Sequence, residues 1–86
     1  MYEIEYTEIA KEHIRLLRTH EPAAFKKVTQ LLLELVDHPE TGTGHPEPLK
    51  DSDPNRWSRR ITKKHRLVYE IHETEVIVLV LAAYGH

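Results

Sequence analysis

The sequence predicts an α+β domain in which two N-terminal helices pack on a twisted antiparallel β-sheet. Two segments with helical apolar spacing precede residue 39, and three strand-like segments joined by short polar links follow residue 55. With 86 residues the chain can build one hydrophobic core but not two. We therefore expect a single domain over residues 1–86.

The first strand and the first helix lie within the first twenty residues. Residues 2–6 alternate apolar and acidic side chains, which is the period-two pattern of a half-buried strand. Thr7 offers a hydroxyl that can cap a helix, and that helix is predicted to end at His20, before Pro22. Its apolar residues recur at helical spacing: Ile9, Ala10, Ile14 and Leu17.

The second helix is predicted to begin at Pro22, because proline is tolerated in a first turn, and to end at His38-Pro39. Its apolar residues form a continuous stripe: Phe25, Val28, Leu32, Leu35 and Val36. A stripe of this kind on a small domain packs on a sheet far more often than it binds a partner. We therefore assign it to the core.

The second half of the chain contains a rigid connection and three strands. Residues 39–48 include three prolines and two glycines, so they form neither a helix nor a central strand. The strands predicted after this connection are Trp57–Thr62, Arg66–Ile71 and Val76–Ala83. Consecutive strands with short links form an antiparallel meander. The last strand is nearly all apolar and should be central.

Positive charge is concentrated around the first of these hairpins. Residues 45–66 contain seven Lys and Arg against three Asp and Glu, a balance of 7 − 3 = +4, and the rest of the chain carries 5 − 11 = −6. Screening beyond about 8 Å makes local charge matter more than the net charge of −2. The hairpin is either a phosphate-binding face or a solvated surface of ordinary charge.

Strand alternation sorts these cations between the two faces of the sheet. Arg59 shares a face with Trp57 and Ile61, and Trp57 is interpreted as a core anchor. Arg60 and Arg66 share the open face if the connection is odd-numbered, such as Lys63-Lys64-His65. A two-residue Lys63-Lys64 turn is the alternative, and it would move the two arginines to opposite faces.

Composition argues against several classes of protein. The absence of cysteine excludes disulfides and thiolate metal sites and fits a reducing compartment, with the cytoplasm as the default. The charged N-terminal segment cannot be a signal peptide, and the apolar run 76–84 is too short to cross a membrane. The pair His45 and Glu47 imitates a zinc deaminase motif, but that site also needs a Cys-x-x-Cys pair. We expect no metal and no cofactor.

The segments Pro46-Glu47-Pro48-Leu49-Lys50 and Trp57 to Ile71 resemble the YoeB (Txe) branch of the RelE-type bacterial toxins. This resemblance implies a RelE-like, microbial ribonuclease-like fold. It also implies a toxin of a type II toxin–antitoxin system that cleaves mRNA in the ribosomal A site. The implied partners are the ribosome, mRNA and a YefM/Phd-like antitoxin, with operator DNA bound only through the antitoxin complex. A homodimer stays open.

By this resemblance Glu47 matches the catalytic carboxylate, Arg66 the catalytic arginine and His86 the near-terminal histidine of the family. Their chemistry fits metal-free RNA cleavage. Glu47 can accept the proton of the attacking 2′-hydroxyl, Arg66 can stabilise the transition-state phosphate, and His86 can protonate the leaving 5′-oxygen. The residues predicted to bind RNA around them are Lys50, Arg59, Arg60, Lys63, Lys64 and His65.

Simpler roles exist for the same residues. Glu47 is otherwise an exposed loop acid, Arg66 a surface arginine paired with Glu70, and His86 a frayed end. Relatives usually continue with an aromatic residue after the histidine, whereas the sequence stops at His86. A genuine end would place an α-carboxylate beside the imidazole. The alternative function is a catalytically impaired binding module that acts with its antitoxin as an autoregulatory DNA-binding repressor.

Overall fold

Two helices and five strands occupy residues 1–49 and 53–81, which are the residues that the computed structural model describes. The helices are α1 (Glu8–His20) and α2 (Pro22–Asp37). The strands are β1 (Glu3–Tyr6), β2 (Glu47–Pro48), β3 (Arg56–Arg60), β4 (Arg66–Ile71) and β5 (Glu75–Val80). They form one sheet in the order β1-β5-β4-β3-β2. The predicted α+β class is confirmed.

The sheet is mixed, so the prediction of a purely antiparallel sheet is wrong at one edge. β3, β4 and β5 form the predicted antiparallel meander, but β1 runs parallel to β5 with Ile4 opposite Val76. A parallel pair needs a long crossover between its strands, and both helices lie between β1 and β5. Side-chain alternation carries no information on strand direction. β5 lies inside the sheet, as its apolar sequence predicts.

Thr7 begins α1 and also fixes that helix to the sheet. Its Oγ1 accepts a hydrogen bond from the Ala10 N–H at 3.0 Å and donates to the Leu79 carbonyl at 2.6 Å. The predicted cap is therefore confirmed. Ala10 and Leu17 are buried, whereas Ile9, which shares the helical spacing, is 59% exposed.

The apolar stripe of α2 is only partly covered. Val28 and Leu35 are fully buried, while Phe25 and Leu32 pack against the core with part of their surface accessible. Leu33 is 70% exposed. The helix therefore carries more apolar surface than the sheet beneath it covers. Within the described residues no helix is both long enough and apolar enough to cross a membrane.

The core lies between the helices and one face of the sheet. Leu67, Tyr69, Val76 and Val78 contribute from the two central strands and are fully buried. Trp57 packs against this core, as predicted for an anchor. The opposite face of the sheet carries the side chains that alternate with these, and the charged residues of β3 and β4 lie there except for Arg59, which is buried on the core face.

Candidate active site

Glu47 lies on the short edge strand β2, beside the cationic hairpin of β3 and β4. It is paired opposite Ser58, and two residues later the Leu49 N–H donates to the Arg56 carbonyl at 2.9 Å. The Glu47 side chain is 59% exposed. Pairing with β3 thus fixes the backbone of Glu47, while its carboxylate stays open to solvent.

Arg66 begins β4 and reaches across β3 to Glu47. Its Nη1 lies 3.6 Å from Oε1 of Glu47 and donates to the Ser58 hydroxyl at 3.3 Å. The Arg66 side chain is 49% exposed, so the ion pair is in solvent and its attraction is weak. Two of the three predicted catalytic residues therefore meet on the open face, and an incoming phosphate can compete for the guanidinium.

Arg60 lies directly opposite Arg66 at the end of the β3–β4 ladder. The prediction that these arginines share a face is confirmed. The alternative register, in which a two-residue turn at Lys63-Lys64 would place Leu67 opposite Arg60, is wrong, because Leu67 lies opposite Arg59. Like charges directly opposite in a sheet are destabilising. The juxtaposed arginines do not stabilise the fold. Their position is better explained by binding of an anionic partner.

The turn between β3 and β4 adds two lysines to the same end of the sheet. Lys63 and Lys64 are both exposed. The Lys64 ammonium lies 3.9 Å from the Glu21 carboxylate at the junction of the two helices. Their contact with RNA stays a prediction.

Two of the predicted RNA-binding residues are buried, so that role is wrong for them. Arg59 and His65 are each 0% exposed. The His65 Nε2 lies 3.0 Å from the Glu21 carboxylate and ties the hairpin to the helices. Arg59 points into the core with Ile61, as strand alternation indicates, and its donors are taken up by protein groups.

Arg59 connects α2, β4 and the segment 38–44, which we call the 38–44 loop. Its guanidinium donates to the Tyr69 hydroxyl (3.1 Å), to Oε1 of Glu34 (2.9 Å) and to the carbonyls of His38, Thr41 (2.7 Å) and Thr43 (3.4 Å). Buried charge is tolerated only when it is paired and hydrogen-bonded, and these contacts meet that condition. The Tyr69 hydroxyl in turn donates to the Pro39 carbonyl at 2.7 Å.

The 38–44 loop passes closely over β3 before it delivers Glu47. The Arg60 N–H donates to the Gly44 carbonyl at 2.7 Å. Gly44 has φ +85°, and a Cβ there would lie 2.7 Å from the Arg60 carbonyl oxygen, so only glycine fits. The sequence indicated a turn here from its glycines. It gave no sign that a distant arginine holds the turn in place.

In the structure Glu70 pairs with Arg56 and His72, and not with Arg66 as one interpretation of the sequence suggested. Its Oε2 accepts from Nη2 of Arg56 at 2.7 Å, and its Oε1 lies 3.1 Å from Nε2 of His72. Hydrogen bonds from Arg56 and His72 lower the pKa of Glu70. Pairing of Arg66 with Glu70 is therefore wrong, and Arg66 remains available to Glu47.

The Glu34 carboxylate makes folding stability depend on pH. Burial raises its pKa, but hydrogen bonds from Thr43 and Gln30 and the charge of Arg59 outweigh burial and lower the pKa below its ordinary 4.5. A carboxylate with a lowered folded-state pKa stabilises the fold above the unfolded-state pKa. That contribution is lost as the pH falls through the folded-state value.

The free energy of unfolding should fall as the pH drops below about 4.5, where the Glu34 carboxylate starts to be protonated in the unfolded chain. We expect this fall to be smaller in the Glu34→Gln variant than in the unmodified protein. Urea titrations of both proteins at several pH values between neutral and acid measure this fall. The stability of the variant should still depend on pH to some extent, because the pKa of Glu70 is also lowered. If the free energy of unfolding depends on pH equally in the two proteins, Glu34 does not contribute to the pH dependence of stability.

Two predicted site residues, Lys50 and His86, lie outside the described residues. Their roles stay predictions. Across residues 1–49 and 53–81 no group of three His, Asp or Glu side chains converges in a way that could hold a metal ion.

Comparison with known proteins identifies the family of this chain. Residues 6–85 match the family described as "YoeB-like toxin of bacterial type II toxin-antitoxin system". Toxin YoeB from Synechocystis sp. is 32% identical over 76 residues, which cover 88% of each protein.

Solved structures agree with the same assignment. A YoeB/ParE toxin from Agrobacterium tumefaciens superposes with a TM-score of 0.88 at 26% identity, covering 96% of this chain and 99% of that one. From Staphylococcus aureus, a YoeB dimer and a YoeB–YefM complex each give a TM-score of 0.85 at 26% identity. They cover 98% and 99% of this chain and the same shares of their own. The chain therefore belongs to the YoeB-like toxins of bacterial type II toxin–antitoxin systems.

Proposed function

We propose that this toxin is a ribosome-dependent mRNA endoribonuclease that stops translation by metal-independent cleavage in the ribosomal A site. The observation that carries the proposal is the exposed pair of Glu47 and Arg66, 3.6 Å apart on the open face of the sheet. Arg60 lies opposite Arg66 and adds a second guanidinium. A base and a cationic clamp are thus within reach of one phosphodiester.

The cleavage follows from the chemistry of these groups. Glu47 accepts the proton of the 2′-hydroxyl as that oxygen attacks the adjacent phosphorus. Arg66, which keeps its charge at any accessible pH, donates two hydrogen bonds to the phosphoryl oxygens as negative charge develops. The bond from phosphorus to the 5′-oxygen then breaks. The products are a 2′,3′-cyclic phosphate and a 5′-hydroxyl.

The remaining roles are assigned by the same chemistry. The leaving 5′-oxygen needs a proton, and we propose that the imidazole of His86 donates it. Arg60, Lys50, Lys63 and Lys64 would hold the RNA backbone through their charges. Buried Arg59 and His65 instead maintain the hairpin and the 38–44 loop.

The partners follow from the family. A YoeB from S. aureus forms a complex with YefM and is also known as a dimer. We propose that a YefM/Phd-like antitoxin holds this toxin inactive, that operator DNA is bound only through that complex, and that a homodimer forms in its absence. Work on ribosomes requires a location in the bacterial cytoplasm.

Purified toxin should cut mRNA bound to ribosomes with a codon in the A site and should leave the same RNA intact when ribosomes are omitted. Cutting should continue in 1,10-phenanthroline, which removes transition metals but leaves the Mg²⁺ that ribosomes need. Primer extension on the mRNA measures both results. Loss of cutting in phenanthroline would assign the chemistry to a metal site, and no cutting on ribosomes would favour a binding module.

A further inference from the structure

Ser58 lies in the middle of β3, on the open face of the sheet. It pairs with Glu47 on one side and with Val68 on the other. Although this face carries the charged residues of the hairpin, Ser58 is 0% exposed. A buried hydroxyl costs free energy unless it is hydrogen-bonded, and strands favour β-branched residues. The strand itself therefore gives no reason for a serine at this position.

The hydroxyl of Ser58 is bound by the proposed catalytic arginine. Nη1 of Arg66 donates to Oγ of Ser58 at 3.3 Å. Within residues 1–49 and 53–81, Oγ of Ser58 has no other hydrogen-bond partner. The same Arg66 nitrogen lies 3.6 Å from Oε1 of Glu47. Both contacts therefore lie at one end of the guanidinium.

The opposite edge of the Arg66 guanidinium is left for a ligand. A guanidinium carries five N–H donors, and those of Nη1 face Ser58 and Glu47. Among the described residues no acceptor is hydrogen-bonded to Nε or Nη2 of Arg66. These two nitrogens carry a parallel pair of N–H groups, which is the arrangement that binds two oxygens of one phosphate. A phosphate on this edge would leave the hydrogen bond from Nη1 to Ser58 intact.

We propose that Ser58 is a positioning residue for RNA cleavage, whose hydroxyl holds Nη1 of Arg66 so that the guanidinium presents its Nε–Nη2 edge to the scissile phosphate. Arginine is long and flexible, and the Arg66 side chain is 49% exposed, so a hydrogen bond to the buried Ser58 reduces the number of orientations that it samples. The contact with Glu47 cannot serve this purpose during the reaction, because Glu47 then faces the 2′-hydroxyl. The inference rests on the proposed cleavage for its effect on rate, whereas the holding of Arg66 can be measured without RNA.

Nuclear magnetic resonance measures the mobility of Arg66 in the RNA-free toxin. The Nε–Hε signal of Arg66 is assigned by its loss in the Arg66→Lys variant, and its heteronuclear Overhauser effect reports motion on the picosecond to nanosecond timescale. We expect Ser58→Ala to make this bond more mobile. Thr19→Ala, which removes an exposed hydroxyl from α1, is the control and should leave the signal unchanged. An Arg66 side chain that is equally mobile with and without the Ser58 hydroxyl would overturn the proposal.

Two substitutions of nearly equal shape separate the hydroxyl from the packing. Threonine and valine differ only by the exchange of a hydroxyl for a methyl group, so Ser58→Thr and Ser58→Val add similar volume at this buried position. In single-turnover cleavage of mRNA on ribosomes, the rate constant at saturating toxin should be about tenfold lower for Ser58→Val, as expected for loss of one hydrogen bond to a charged group. The toxin concentration that gives half of the maximal rate should differ by less than about twofold, because the other cations of the hairpin stay in place. Thermal melts verify that both variants are folded.

A double-mutant cycle tests whether Ser58 acts through Arg66. In an Arg66→Lys toxin, which has no Nη1, Ser58→Ala should lower the rate constant by less than about twofold. The same substitution with Arg66 in place should lower the rate constant about tenfold. Equal effects in the two backgrounds would show that Ser58 acts independently of Arg66, and they would overturn the proposal.

Failure of the proposed function and failure of the role of Ser58 give different results. If the unmodified toxin does not cut mRNA on ribosomes, the proposed cleavage is wrong, and the mobility of Arg66 still decides whether Ser58 holds it. If Ser58→Thr and Ser58→Val cut mRNA at the same rate, the cleavage stands and the positioning role of Ser58 is wrong.

Discussion

Glu47→Gln is expected to lower the rate constant of mRNA cleavage on ribosomes by about 10²–10⁴-fold, which is the usual contribution of a positioned general base. The amide has nearly the shape of the carboxylate but cannot accept the 2′-hydroxyl proton. The side chain is 59% exposed, so its replacement should hardly change folding stability. Single-turnover primer extension measures the rate constant.

Affinity for the ribosome separates this catalytic role from a binding role. Loss of the Glu47 charge removes a repulsion to phosphate and leaves Arg66 without its 3.6 Å ion pair. Binding of the variant should therefore be unchanged or tighter. Glu8→Gln, an exposed carboxylate on α1, is the matched control and should cut at the normal rate. A Glu47→Gln toxin that cuts normally would remove Glu47 from the mechanism.

Arg59→Met is expected to destabilise the fold by about 3–5 kcal/mol, the usual cost of breaking a buried ion pair from one side. The variant leaves Glu34 and the carbonyls of the 38–44 loop without their shared donor. A domain of this size has only about 5–15 kcal/mol of stability in total, so the melting temperature should fall by more than about 10 °C. Calorimetry or urea unfolding measures the change.

Two comparisons keep the Arg59 prediction testable even if the methionine variant does not fold. Arg59→Lys keeps the charge but has too few donors for all the loop carbonyls, so it should be intermediate in stability. Arg15→Met removes an arginine whose ion pair to Glu12, on the exposed face of α1, is even shorter (2.6 Å against 2.9 Å), and it should change the stability little. Equal effects at Arg15 and Arg59 would show that the buried network contributes nothing special.

The helices and the shared face of Arg60 and Arg66 were predictable from local patterns in the sequence, whereas the grouping of Glu47 with Arg66 in one site came from the resemblance to the YoeB family. Thr7 caps α1, Pro22 begins α2, and both signals are local. Strand parity also placed Arg60 and Arg66 on one face. Periodicity and caps depend only on neighbours along the chain, which is why such predictions succeed.

The wrong predictions concern residues whose contacts depend on segments that are distant in the sequence. Alternation places Arg59 on the face of Trp57 and Ile61, but the prediction that it binds RNA is wrong, because its partners at residues 34, 38, 41 and 43 come together only in the folded chain. The choice of Arg56 rather than Arg66 as the partner of Glu70 needed the register of β3 against β4. The direction of β1 needed the path of both helices. None of these is encoded in a local pattern.

The chemistry of the cut ends tests the proposed cleavage most directly. If Glu47 and Arg66 carry out a metal-free transesterification, mRNA cut on ribosomes carries a 2′,3′-cyclic phosphate on the upstream fragment and a 5′-hydroxyl on the downstream one. Both ends can be read by resistance of the upstream end to phosphatase and by labelling of the downstream end with polynucleotide kinase. A free 3′-hydroxyl with a 5′-phosphate, the products of water attack at phosphorus, would contradict the mechanism.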